Sequence, residues 1–284
     1  MKASKNWTED PAPLLRVGAG YKLLGSDAGA TPGFAGNKTD GESALAANGA
    51  EVSSLQEKLF ANSLYDDSRS ILLVLQGMDS AGKGGIVKHV VGSVDPQGVM
   101  HASFKKPTPE ELEHDFLWRI RKRLPTPGQI GVFDRSHYED VLAGKVLNLA
   151  PPEVIEERYR QINDFESEVV AHGTTVVKVM LNISADEQKA RLAERLDRPD
   201  KYWKFNPSDI DSRVLWNQYQ DAYQTVFDTT STTTAPWYVV PANRKWYARL
   251  AVQRLLMDAL RNLNQDWPPA TFDVEEQRAR LDLT

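Results

Sequence analysis

The 284 residues carry 34 Lys and Arg against 39 Asp and Glu, and 41% are hydrophobic, an ordinary balance for a soluble globular chain of one large or two small domains. No apolar run approaches a membrane span, the polar start Met1–Asn6 lacks the apolar core of a secretory signal, and the absence of cysteine excludes disulfides, thiol catalysis and Cys-based zinc sites. A net charge of −5 speaks against a general nucleic-acid surface, although local cations can still hold a polyanion. The expectation is a cytoplasmic protein with no nucleic-acid or membrane partner.

Residues 1–41 are rich in Gly, Ala, Asp and Pro with no sustained period, and read as an irregular arm laid over the domain or over a neighbouring subunit. Leu45, Val52, Leu55, Leu59 and Leu64 predict a helix from Glu42 to Leu64, imperfect at Gly49. Leu72–Gln76 is then a short apolar run that ends in Gly77-Met78-Asp79-Ser80-Ala81-Gly82-Lys83-Gly84-Gly85. Strand, glycine-rich turn and helix in that order, with Gly77, four residues, Gly82 and Lys83, have the spacing of a Walker A phosphate loop. The glycines let successive N–H groups face phosphate oxygens, Lys83 adds a full charge, and the following helix adds its positive end. Gly84 stands where a Ser or Thr would ligate magnesium, which makes Asp79 the candidate metal ligand. The competing structural reading, a packing turn with a surface lysine, explains none of the agreement among strand, spacing, lysine and helix.

A helix continues from Ile86 to Val91, and residues 93–107 read as a loop with Lys105 and Lys106. Thr108-Pro109-Glu110-Glu111 is a capping box, predicting a helix to about Leu124 with Leu112, Phe116 and Ile120 on one face and cations at its end. Gln129–Asp134 is a second strand, and Asp134 at its carboxyl end occupies the place of a Walker B aspartate. Arg135 follows directly and can point at the same site, whereas His137 is expected to be structural, since phosphoryl transfer relies on positioning and charge neutralisation more than on a strong base. Asp79 and Asp134 suit Mg²⁺, which takes few carboxylates and keeps several waters. A turn-stabilising Asp79 and a helix-capping Asp134 are the bland alternatives.

Pro152 opens a helix ending near Gly173, Thr174–Asn182 is a third strand, and Ser184-Ala185-Asp186-Glu187 is a second capping box before a helix to about Leu196. Lys189 and Arg191 are expected on its solvated face. Arg195, Arg198, Lys201 and Lys204 straddle Pro199 and read as the cationic, mobile lid that phosphoryl transfer needs, over about residues 190–215. A long helix from Asp209 to Phe227, a last strand Trp237–Pro241, and a helix capped by Asn243 and running to about Leu263 complete the chain. Trp203, Trp216, Trp237 and Trp246 are expected in the core, with Trp203 in the lid open to either role. Strands alternating with helices imply an α/β fold: a P-loop kinase-type three-layer αβα domain over residues 42–284, with a central parallel sheet and a helical lid.

The phosphate loop, Phe133-Asp134-Arg135-Ser136-His137-Tyr138-Glu139-Asp140, and the lid segment Lys201-Tyr202-Trp203-Lys204 together resemble the polyphosphate kinase 2 family. The likeness extends through Ser103-Phe104-Lys105, His114–Arg119 and Ala235–Pro241, covering most of residues 65–260. It implies phosphoryl transfer between inorganic polyphosphate and a nucleotide, with magnesium (manganese as the substitute) held by Asp79 and Asp134. It implies phosphate contacts from Gly77, Gly82, Lys83, Gly84, Arg135, Arg195, Lys201 and Lys204, with Arg198 either adding one or changing how the lid packs. The Ser-His-Tyr-Glu-Asp pattern is similar to members that accept monophosphates, and Gly84-Gly85 to members that accept diphosphates, so AMP is favoured and ADP retained. A homo-oligomer, dimer or tetramer, is expected. The alternatives are an ATP-dependent nucleoside monophosphate kinase and, from another class, a non-catalytic phosphate or nucleotide sensor.

Overall fold

A computed structural model describes residues 6–284, so the first five residues of the arm and of the polar start lie outside the described part. In chain order the helices and strands are α1 (Pro11–Leu15), α2 (Lys38–Ser63), β1 (Ser70–Gln76), α3 (Lys83–His89), β2 (Val99–Ser103), α4 (Pro109–Leu112), α5 (Trp118–Arg121), β3 (Ile130–Asp134), α6 (Ala143–Val146), α7 (Pro152–Ala171), β4 (Thr174–Asn182), α8 (Ala185–Asp197), α9 (Ser208–Val214), α10 (Trp216–Thr230), β5 (Trp237–Pro241), α11 (Lys245–Asn262) and α12 (Val274–Leu281).

Among the described residues the sheet has five strands in the order β2-β3-β1-β4-β5, every neighbouring pair parallel. Strand β1 is buried along its whole length and divides its side chains between two cores. Ile71, Leu73 and Leu75 face α2, α3 and α11, while Leu72 and Val74 face α7 and α10. This is the period-two alternation of a strand covered on both sides, and it makes the three-layer αβα sandwich. Because β1 has β3 on one side and β4 on the other while the chain leaves it for the β2 edge, the strand order reverses around β1. In such sheets ligands bind outside the carboxyl ends at that point. The loop after β1 and Asp134, aligned with Leu75 at the end of β3, are both there.

The arm is more ordered than its composition predicts. Leu15 and Phe34 are buried in the α2–α11 core, Arg16 bridges Tyr238, and the Val17 N–H donates to the Trp237 carbonyl along the outer side of β5. It lies over its own domain and shields an edge strand. Helix α2 begins four residues earlier than expected because Asn37 accepts from the N–H groups of Thr39 and Asp40 while Asp40 accepts from the Asn37 N–H, a reciprocal cap. Gly41 in its first turn lets the Trp246 ring lie where a Cβ would sit 2.3 Å from it.

Four expectations are corrected. Residues 99–103 form β2 rather than loop; as an edge strand it is mostly half-buried or exposed, with only Ala102 buried, and its apolar run is only Val99-Met100. The helix expected from Thr108 to Leu124 is two short pieces, because the Asp115 carboxylate accepts from the Leu117 N–H and competes with the helical ladder; Leu112 is exposed. The helix expected from Asp209 breaks at Leu215 into α9 and α10. Asn243 does not cap α11: its side chain accepts from the Ser184 N–H and donates to Ser184 Oγ, tying the loop after β5 to the start of α8. Ser184 itself caps α8 by accepting from the Glu187 N–H.

Candidate active site

The loop from Gly77 to Gly82 turns through backbone that favours glycine. Gly77 has φ 146° and Gly82 φ 116°, and a Cβ on Gly77 would meet the Leu181 carbonyl at 2.8 Å. Ser80 reaches φ 63° without being glycine, as does Arg135 on the neighbouring loop, local strain of the kind that collects where geometry is set for function. Lys83, the first residue of α3, is buried and donates from Nζ to the Gly77 carbonyl at 2.8 Å.

A cavity of about 1030 Å³ opens over this loop. It brings together Asp79, Gly82, Lys83, Gly84, Asp134, Arg135, Arg195, Arg198, Lys201 and Lys204, every expected site residue except Gly77, which meets Lys83 through its carbonyl. Arg135 Nη2 donates to Asp79 Oδ1 at 2.6 Å. Burial alone would lower the Arg135 guanidinium, but the facing carboxylates of Glu139, Asp79 and Asp134 outweigh it and raise its pKa, so the charge is firmly held. Glu139 is pushed the other way: desolvation raises its carboxyl above the ordinary range despite Arg135 and Lys83 nearby.

No group of three or more ligating side chains that could enclose a metal ion occurs among the described residues. Asp79 and Asp134 form instead a two-carboxylate set of hard oxygen donors open to the cavity, which fits an ion that completes its octahedron with water and phosphate oxygens.

The segment expected as a lid begins on α8. Arg195 donates to Asp209 Oδ2 at 3.1 Å and to the Lys204 carbonyl at 3.0 Å, Arg198 pairs with Glu194 and Asp200, and Lys201 lies 3.4 Å from Asp200. Asp209, which the sequence did not mark, is buried on the cavity wall; desolvation and the Asp79 charge raise its carboxyl, and Arg195 opposes them. Trp203 is 78% exposed with Lys204 Nζ 4.8 Å from its ring centroid, so it is not a core residue, whereas Trp237 and Trp246 are. Trp216 is partly buried against both cores.

Arg191 corrects the expectation of a solvated face: it is buried and reaches the Ser80 and Ala81 carbonyls of the glycine-rich loop. Lys189 does lie exposed. Lys245 and Arg249, one turn apart at the start of α11, also line the cavity, and nothing in their local sequence placed them there.

His137 is structural as expected. It is fully buried with Nε2 3.2 Å from Glu166 Oε1, and behind it Lys178 Nζ donates to Glu166 Oε2 at 2.5 Å, to Tyr138 Oη at 2.9 Å and to the Thr230 carbonyl at 2.7 Å. This network anchors the segment that follows Arg135 to α7, β4 and the end of α10.

The family model described as polyphosphate kinase 2 matches residues 36–268. The AMP/ADP-polyphosphate phosphotransferase of Meiothermus ruber is 44% identical over 248 residues, 87% of this chain and 91% of its own length. The ADP-polyphosphate phosphotransferase of Rhodopseudomonas palustris is 37% identical over 274 residues, 90% of this chain and 92% of its own. Among solved structures, the polyphosphate kinase 2 of Arthrobacter aurescens TC1 superposes with a TM-score of 0.97 at 55% identity, covering 100% of both chains. With a glycine-rich loop, the aspartate at the end of β3 and a row of cations around one cavity, and with a family model and relatives that span nearly the whole chain, the protein belongs to the polyphosphate kinase 2 family.

Proposed function

We propose that this chain catalyses magnesium-dependent phosphoryl transfer between inorganic polyphosphate and a nucleotide, AMP to ADP first and ADP to ATP second. The observation that carries it is the cavity itself: one space large enough for two phosphate-bearing substrates, floored by the phosphate loop and walled by Arg135 and the lid cations. The Meiothermus relative has both acceptors in its name. Neither the ATP-dependent monophosphate kinase nor the sensor gains an observation in its favour.

In the forward reaction an oxygen of the acceptor's terminal phosphate attacks the terminal phosphorus of polyphosphate. The bond from that phosphorus to the bridging oxygen breaks, and the shortened chain leaves with the electron pair. Lys83 moves from the Gly77 carbonyl to the phosphate, and loop N–H groups orient the same group. Arg135 and the lid cations Arg195, Lys201 and Lys204 spread the charge that builds on the transferring phosphoryl, and Arg198 adds to the same wall. Asp79 and Asp134 would hold the Mg²⁺, with Mn²⁺ as substitute; bound there, it supplies neutralisation of the phosphate oxygens. Lid closure over residues 190–215 excludes water, whose attack is the competing reaction. No covalent enzyme intermediate is needed.

The same reading places the protein in the cytoplasm as a homo-oligomer, dimer or tetramer, with no nucleic-acid or membrane partner. No helix among the described residues is long and apolar enough to cross a membrane. The test is Lys83→Ala: turnover is lost with circular dichroism unchanged, and a variant at near wild-type rate removes the loop from the mechanism.

A further inference from the structure

Arg191 lies on the cavity wall one turn before Arg195, and its charge and place suggest another phosphate ligand. Its hydrogen bonds point elsewhere. Nε donates to Glu187 Oε1 at 2.7 Å. Nη1 donates to the carbonyls of Ser80 and Ala81 at 3.0 and 2.9 Å, and Nη2 to those of Ala242 and Asn243 at 2.6 and 3.2 Å. A guanidinium has five N–H groups and no acceptor, so all five are engaged within the protein.

One turn earlier on the same face of α8, the fully buried Gln188 donates Nε2 to the Asp79 carbonyl at 3.1 Å. The carbonyls of three consecutive loop residues are therefore drawn toward α8. Peptide planarity turns the N–H groups of Ser80 and Gly82 away from that helix, while the Ala81 N–H is spent on the Met78 carbonyl. Ser80 holds its φ of 63° under this grip. The Ala242 and Asn243 carbonyls join the loop after β5 to the same side chain.

We infer that Arg191 is a positioning residue of the transfer reaction: it sets the phosphate loop through the Ser80 and Ala81 carbonyls and does not itself bind phosphate. Gln188 assists it at Asp79. The inference rests on the phosphate-loop function proposed above and adds to it the device that fixes the loop's donors.

A phosphate ligand and a positioning bracket respond differently to Arg191→Lys. Lysine keeps the charge a phosphate needs, but a single ammonium cannot span two carbonyl pairs. The expected result is that Arg191→Lys and Arg191→Met lose kcat alike, by about a hundredfold, the scale of a misplaced reacting group. Hydrogen exchange then rises in residues 78–85 and stays unchanged in β1 and β4. Arg191→Lys within about threefold of wild-type kcat, or far above Arg191→Met, overturns the inference, as does exchange that rises across the whole sheet. Should Arg191→Lys fail to fold, Gln188→Leu removes the bond to the Asp79 carbonyl, together with the one Gln188 Oε1 accepts from Arg213 on α9; it is expected to shift kcat and loop exchange in the same direction, and wild-type values for both overturn the inference. Exchange is read with and without tripolyphosphate and needs no turnover, so a wild type that transfers nothing from any donor counts against the functional proposal alone.

Discussion

Arg135 Nη2 donates to Asp79 Oδ1 at 2.6 Å, joining the residue after β3 to the phosphate loop after β1. The pair puts a cation and a carboxylate of the proposed machinery in contact across the two strand ends, so each holds the other in place until substrate and metal arrive. Removing Arg135 withdraws charge stabilisation from the transferring phosphoryl, and Arg135→Ala is expected to lower kcat by about a hundredfold or more, the range found when one such donor is lost. Asp79→Asn keeps the shape and removes a metal-binding charge, so its signature is a higher Mg²⁺ concentration for half-maximal rate. Steady-state kinetics across a magnesium series checks both; an unchanged magnesium optimum in Asp79→Asn would take Asp79 out of the metal site.

The Lys178–Glu166 pair lies inside the α7–α10 core, with both side chains buried. Lys178→Met leaves Glu166 buried with its main cation gone, and a broken pair of this kind costs about 3–5 kcal/mol. Replacing both at once, Lys178→Met with Glu166→Gln, should cost less than Lys178→Met alone. Urea unfolding of the two variants measures the difference, and equal losses would contradict a cost of leaving Glu166 buried without its cation.

Glu139 gives a pH signature. Desolvation raises its carboxyl above the usual range of a glutamate, so the folded state binds its proton more tightly than the unfolded chain does. Such a group adds stability that is fully present below about pH 4.5 and is lost as pH rises through the higher folded value. Glu139→Gln cannot titrate. The melting temperature of the wild type relative to Glu139→Gln should therefore fall from pH 4 toward neutrality, and a constant difference across that range would contradict the burial cost.

Much of this site was legible in the chain because the signals are local. Gly77, Gly82 and Lys83 carry their spacing in one loop, and Asp134 ends an apolar run whose neighbour in the sheet follows from α/β topology. The cavity-lining cations Arg195, Arg198, Lys201 and Lys204 stand out for the same reason: Pro199 interrupts a helix in a cluster of charge. Arg191 was misplaced because its five acceptors come from three separate segments, and a mixed-charge helix gives no local sign that one of its faces is buried. Lys245 and Arg249 reach the cavity only because α11 packs beside α3. In the fold, β2 escaped because its edge strand has only two consecutive apolar residues, Val99 and Met100, before polar His101, and the long helices broke where Asp115 and Leu215 satisfy backbone groups locally.

The most direct measurement is a donor–acceptor matrix: purified protein with Mg²⁺, long-chain polyphosphate or ATP as donor, and AMP, ADP, GMP or GDP as acceptor, with products resolved by chromatography. ADP formed from AMP and polyphosphate, followed by ATP as ADP accumulates, is the predicted result. Transfer from ATP with none from polyphosphate would contradict the account.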